Sequence, residues 1–350
     1  MILKAIKYST ADELFNAFAY KGELYSLIHQ GFVFRGHSFE HYKLLPTVLR
    51  EDAKPKLFQA PGKEKQLDVL SSYENAVVLA EYNSLSEFYK IADKAGLKLP
   101  GMDGAYELFN QPLAKALLFC DNWLPDELCD LAGIAQHYGL PTRLLDWSKD
   151  INVSLYFSAK GVVQSYLRES NDVRIQLKQL SQNIRQSFGQ PVDPEKNEKS
   201  AVLWALDINR LEMLKLANKD FPLKFIKPPY SGNPNLCAQQ GLFSLWQIPN
   251  LAHELMDQIG SKLDLSRLNL IDETPLDEKI CEYFKDDPQV SSPLVYKILY
   301  PHSIAGDVLE HLYCVGYDSS RIFPGYQGAA NAVLDKNELD RYKSILTLKQ

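Results

Sequence analysis

Residues 201–208, AVLWALDI, set six apolar side chains in a row before Asp207. A run that short and unbroken reads as a strand buried in the interior. Two more strands are expected nearby. SPLVYKILYP carries Val295, Ile298 and Leu299 among bulky neighbours, and CAQQGLFSLW reads as a turn into a strand. In the first half, GFVFRGH is the clearest strand candidate. Phe32, Val33 and Phe34 favour extended backbone, and Gly36 permits a sharp exit. The remainder of that half is patterned for helices. Helices in the first half and strands gathered in the second predict an α+β fold rather than a doubly wound sheet.

Several helices announce their ends. STADELFNAFAYKG begins with a cap at Ser9 or Thr10, acidic residues in the first turn, and an apolar stripe of Leu14, Phe15 and Phe18. Residues 64–120 read as mostly helical, broken at KLPGMDG. In PDELCDLAGIAQHYGLP, Leu128, Leu131, Ile134, Ala135 and Tyr138 recur at helical spacing. Gly139 fits a left-handed cap there, and Pro141 prevents continuation. SKDINVSLYFSAKG reads as a short helix capped by Ser148 and ended by Gly161, with a polar amphipathic helix over 162–188. GQPVDPEKNEKS and FIKPPYSGNPN are loops by composition, and RIFPGYQG is a loop before a final helix starting near Ala329.

Composition narrows the function classes. The chain has 350 residues, enough for one large domain or two smaller ones, and 45% are apolar, ordinary for a globular core. A net charge of −6 disfavours broad, sequence-blind nucleic-acid binding. Five widely spaced cysteines without a CxxC predict reduced thiols and neither a zinc knuckle nor a thioredoxin motif. No secretory leader and no apolar run long enough for a membrane span stand out, so a cytoplasmic protein is expected. Walker, GxGxxG, GxSxG and HExxH patterns are absent from the sequence. AHELMD puts Asp257 where the last of these needs its second histidine, so His253 is read as surface or core and no metal is expected.

The polar residues at element ends carry the chemistry. Arg35, after three strand formers, either holds a phosphate through two parallel hydrogen bonds or pairs with a neighbouring carboxylate. His137 closes a helix, where the dipole favours a proton on its ring; a capping or surface role is the alternative. Tyr138 falls on the apolar stripe and is expected to pack inside. Arg143 and Asp146 stand three apart, so they either simply pair or Asp146 orients Arg143 toward a ligand, with Trp147 as a stacking surface. Gln239 and Gln240 offer two adjacent amides to a sugar or amide ligand, or form an exposed turn.

Taken in order, FVFRGH, LLPTVLR, IAQHYGLPTRLLDWSKDINVSLYFSA, AQQGLFSLW and RIFPGYQG resemble the FRG domain, over roughly residues 25–335. The triplet that names the family is Phe34, Arg35 and Gly36 here. The resemblance implies a single domain over 1–350, with 162–200 a helical insertion and loop. It also implies a split-sheet core similar to that of ADP-ribosyltransferases, enzymes that split NAD at the nicotinamide–ribose bond. By position, Arg35 would hold the pyrophosphate of NAD. PTRLLDWS, with Thr142 and Ser148, would line the nicotinamide pocket, and Gln240 would bind ribose. Phe34, Gly36, His137, Tyr138, Arg143, Trp147 and Gln239 would complete the substrate site. The family's third-motif glutamate is replaced by the glutamines of AQQG, which leaves Asp146 as the carboxylate to reach the site. His37 stands where the family often has glutamine. The implied activity is ADP-ribosyl transfer or NAD hydrolysis in a toxin or phage-defence setting. The acceptor would be a protein, a nucleic acid or water, a regulatory protein partner is conceivable, and no membrane is involved. A non-catalytic module that binds a nucleotide or partner in the same cleft is the alternative.

Overall fold

The computed structural model describes residues 1–51, 72–99, 109, 122–183, 199–218, 220–230, 233–249 and 270–347, and the backbone alone over 171–183. Strand β1 (Leu3–Lys7) is followed by α1 (Ala11–Phe18), α2 (Tyr25–His29) and β2 (Phe32–His37). Next come α3 (Glu74–Lys94), β3 (Asn122–Trp123), α4 (Asp126–His137), β4 (Leu145–Ser148) and α5 (Ile151–Asn183). The second half runs β5 (Ser200–Asp207), α6 (Ile208–Ala217), β6 (Leu223–Ile226), α7 (Pro234–Ala238), β7 (Gly241–Trp246) and β8 (Ile248–Pro249). It closes with α8 (Leu276–Phe284), β9 (Val295–Pro301), α9 (Ala305–Cys314), α10 (Ser319–Ile322) and α11 (Tyr326–Thr347). The fold is α+β, as the element pattern predicts.

Seven strands form one sheet in the order β1-β9-β5-β2-β4-β7-β6, and β3 with β8 makes a separate ribbon. Among the described residues, only β1 and β9 run parallel, joined from Leu3↔Val295 to Lys7↔Leu299. β5 is buried along its whole length. It pairs with β2 over six residues and with β9 over seven, the place its apolar run demands. The junction between β2 and β4 is different: a single residue pair, Phe34↔Ser148, joins them. The sheet therefore splays at its middle.

Side chains alternate across the sheet. Phe32, Phe34, Leu203 and Tyr300 pack on one face beneath α1, α5, α9 and α11. Val33, Trp204, Leu145 and Trp147 pack on the other beneath α6 and α8. A third cluster joins α3 and α4 to Phe243 and Leu245 of β7. Fully buried chains such as Phe34 and Leu14 contribute ~1.5–3 kcal/mol each by leaving water.

Thr10 caps α1 with a reciprocal bond to Glu13, as its sequence foretells. Gly139 takes φ +96° beyond α4. Other expectations are corrected. α5 is not short: it runs for 33 residues straight through Gly161. A Cβ on that glycine would lie 1.9 Å from Ser38 Oγ and 3.1 Å from Ser38 Cβ, so Gly161 gives room to Ser38. Gly36 is likewise no exit but a position inside β2, where a Cβ would fall 1.9 Å from the Ser154 carbonyl of α5. Phe225 and Ile226 belong to β6 rather than a loop, and Pro234 opens α7. The final helix starts at Tyr326 rather than near Ala329. Most of KLPGMDG, most of GQPVDPEKNEKS, Cys120 and His253 lie outside the described residues. Among the described residues, no helix is long and apolar enough to cross a membrane.

Candidate functional site

The splay between β2 and β4 opens a cleft of about 280 Å³, lined by Phe34, Arg35, Gly36, Asp146, Ser148, Phe157 and Gln239 among others. Arg35 spans the gap. Its Nη1 donates to the Asp146 carbonyl at 2.8 Å and to Asp146 Oδ2 at 3.2 Å. Its Nε donates to His37 Nε2 at 3.0 Å. Among the described residues, Nη2 has no partner. The Arg35 side chain is 15% exposed and that of Asp146 49% exposed, so the ion pair borders open space.

His37 fixes the arginine from behind. It is buried, its Nδ1–H donates to the Tyr42 carbonyl at 3.1 Å, and its Nε2 must therefore accept from Arg35. Burial, with the positive charges of Arg35 and Arg50 adding, pushes its pKa down to about 3, against the pull of the Tyr42 carbonyl. The ring is neutral at ordinary pH. Asp146 is steadied from the opposite side: Gln136 Nε2 donates to its Oδ1 at 2.7 Å. Thr142 Oγ1 in turn donates to Gln136 Oε1. Thr142 is buried, so it supports the cleft without entering it.

Arg143 does not pair with Asp146. Its side chain is buried and turns to α3, where Nε donates to Glu81 Oε2 at 2.6 Å and Nη2 to Glu74 Oε1 at 3.1 Å. Glu81 also accepts from the Arg143 amide at 2.9 Å and from Trp123 Nε1 at 2.9 Å. Burial would drive Arg143 toward neutrality, but the two carboxylates more than reverse this and raise its pKa. Arg143 is thus a brace between α3 and β4. Trp147 offers no free stacking face: its ring is in the core and its Nε1 donates to Ser244 Oγ at 2.9 Å.

Tyr138 is 64% exposed rather than packed, because α4 ends at His137 and its stripe goes no further. His137 is half-buried. Burial lowers its pKa, and the Asp146 charge offsets this only in part, so a proton is disfavoured there, contrary to the dipole argument. The two glutamines part company. Gln239 lines the cleft, its carbonyl accepting from Ser148 Oγ at 2.7 Å. Gln240 adopts φ +46° and lines a different cavity. The structure thus brings Phe34, Arg35, Gly36, Asp146, Trp147, Ser148 and Gln239 together, with His137 near Asp146, and leaves Tyr138, Thr142, Arg143 and Gln240 outside the cleft. Gln136 and Phe157 went unforeseen. The first is one residue from a singled-out histidine, and nothing local marks either.

Residues 30–166, from the start of β2 into α5, match the family model of the FRG domain. The chain carries an FRG domain. No curated protein and no solved structure shows a match to the chain. The matched FRG segment holds Arg35, His37, Gln136, Asp146, Ser148 and Phe157, while Gln239 is supplied from beyond it. Among the described residues, no group of three or more histidine, cysteine or acidic side chains is arranged to hold a metal ion.

Proposed function

We propose that the cleft of this FRG domain takes NAD and that the protein transfers ADP-ribose from it or hydrolyses it. One observation carries the reading. The Arg35 guanidinium lines the cleft, held on Nε and Nη1 and with no partner for Nη2 among the described residues, beside a half-exposed carboxylate. A preorganised arginine edge suits a phosphate oxygen. The cleft, about 280 Å³, falls just below the usual ~300–1,000 Å³ of ligand pockets. It therefore suits the nicotinamide-riboside half of NAD, with the diphosphate at Arg35 on the rim. A split-sheet core of the ADP-ribosyltransferase kind belongs to the same reading, and the single residue pair joining β2 to β4 supports it.

In this scheme the bond from C1′ to the nicotinamide nitrogen breaks, and its electron pair leaves with neutral nicotinamide. Asp146 faces the positive charge that grows on the ribose, a role for which a carboxylate is better suited than the amides of AQQG. The acceptor hydroxyl, amine or water then bonds C1′ and gives up its proton. Gln239, rather than Gln240, lines the cleft; its Nε2 donates to the Ile322 carbonyl at 3.3 Å, which leaves Oε1 to accept from a ribose hydroxyl. Nicotinamide release by the wild type, Arg35→Ala, Arg35→Lys and Asp146→Asn, beside a thermal melt of each, tests the proposal. Release by the wild type, none by Arg35→Ala or Asp146→Asn, and partial activity in Arg35→Lys are expected. Full activity in Arg35→Ala removes this arginine from the chemistry. A second reading, a binding module without catalysis, is favoured by the engagement of both Asp146 oxygens, with Arg35 and Gln136. NAD binding without nicotinamide release selects it.

A further inference from the structure

Behind the cleft lies a larger cavity, of about 540 Å³, between α1, α2, the start of α5 and α9. The two share a wall. Ser148 and Gln239 face the cleft, while their chain neighbours Lys149 and Gln240 face the cavity. Two hydrogen bonds hold the wall shut: Ser148 Oγ to the Gln239 carbonyl at 2.7 Å, and the Lys149 amide to the Gln240 carbonyl at 3.1 Å. Gln240 is also one of two non-glycine residues with positive φ among the described residues, at +46°. A left-handed glutamine is conformationally costly and persists where its surroundings hold it. Here the strain turns its amide away from the cleft and toward the cavity.

The lining says what kind of ligand fits. A free cation finds no open carboxylate: Asp150 Oδ1 accepts from the Asn152 amide at 2.9 Å and Oδ2 from Tyr317 OH at 2.7 Å. An anion finds one lysine, Lys149, opposed by that same Asp150. Apart from His311, what remains carries no charge. Asn16 and Gln240 are exposed, and their side-chain amides have no hydrogen-bond partner among the described residues. The same cavity has an apolar surface: Phe15 stacked on His311 with ring centroids 3.8 Å apart, with Phe18, Ile28 and Leu155 also in the lining. Side-chain amides read the donor–acceptor edge of a base, and an aromatic surface takes its face. The cavity's size is within the usual range for small-molecule sites.

We infer that this second cavity is a nucleoside site, with Asn16 and Gln240 bonding the base edge and the Phe15–His311 surface stacking against its ring. The inference rests on the NAD reading of the cleft only for where the nucleoside comes from: the adenosine half of the same dinucleotide, or a free nucleoside acting on the cleft through the shared wall.

Calorimetric titration of adenosine into the full chain tests it. The wild type binds adenosine. Asn16→Ala and Gln240→Gly, the latter keeping the left-handed backbone without strain, each weaken it about 5- to 10-fold, the worth of one neutral hydrogen bond. Arg35→Ala leaves adenosine affinity within about twofold of wild type, less than one such bond is worth. Absence of binding by the wild type, equal binding by both amide variants, or loss of binding in Arg35→Ala overturns the inference. Saturating NAD then distinguishes the sources. Displaced adenosine means the cavity takes the dinucleotide's own nucleoside, and undisturbed adenosine means a separate nucleoside site. If adenosine binds with this dependence while NAD is neither bound nor cleaved, the reading of the cleft fails and the nucleoside cavity stands.

Discussion

Acid should unfasten this protein at His37, and the size of the effect follows from its surroundings. The ring is buried, donates from Nδ1 to the Tyr42 carbonyl and accepts at Nε2 from Arg35. A second ring proton would point at the Arg35 Nε–H, whose nitrogen is 3.0 Å away, and has no acceptor there. The pKa accordingly falls from 6.5 to about 3 in the folded chain. Between those values the unfolded chain binds the proton and the folded chain does not, so stability is complete above pH 6.5 and declines as pH falls. At about 1.4 kcal/mol per pH unit, flattening as the folded ring itself begins to titrate, the loss is about 2 kcal/mol by pH 5 and about 4 kcal/mol by pH 3. His37→Gln separates this from every other titrating group. A glutamine can accept from Arg35 through its oxygen and donate to Tyr42 through its nitrogen, and it does not titrate. Urea unfolding from pH 7.5 to pH 4.5 should show the variant losing about 2 kcal/mol less than wild type by pH 5. Parallel curves for the two proteins would refute the assignment.

Two further outcomes come from the same geometry. Glu81→Ala leaves Arg143 with only Glu74 and frees Trp123 Nε1. It should cost ~3–5 kcal/mol, a fall in Tm of about 4–7 °C at roughly 2.1 cal/mol/K per residue, whereas Asp146→Ala, at the half-exposed pair, should cost under ~1 kcal/mol; equal melts for the two would contradict the bracing role of Arg143. Gly36→Ala drives a methyl against the Ser154 carbonyl and should destabilise by ~3 kcal/mol or more, since backbone on both sides must move; a wild-type melt would show that α5 can shift away from β2.

What the sequence disclosed and what it hid have physical causes. AVLWALDI, the Thr10 cap and Gly139 were legible because each depends on residues within a turn or two. Arg143 and Asp146 misled for the opposite reason. Their spacing suggested a pair, yet Asp146 lies in β4 and Arg143 just before it, and extended backbone sends their side chains apart. The true partners, Glu81 and Arg35, are 62 and 111 positions away, and no local pattern encodes that. Gly36 and Gly161 were read as punctuation, because a glycine that gives room to another element looks the same in sequence as one that ends its own. The FRG triplet and the LLDWS stretch did locate the cleft. The division of labour between Gln239 and Gln240 was invisible, since it depends on one backbone angle.

The parallel pairing of β1 with β9 bears on how the chain is made. Strand β1 leaves the ribosome before its sheet partner, which follows about 290 residues later. At ~5–20 residues per second, that is a wait of roughly 15–60 seconds. β5, at the centre of the sheet, also waits for β9 on one side, although β2 is ready on the other. During synthesis β2 and β5 are both made before β9, so the edge of β5 that β9 covers is open until then. Lys4 and Lys7 place charge on β1 throughout this interval, the kind of residue that keeps an unpaired strand from joining a neighbouring polysome's chain.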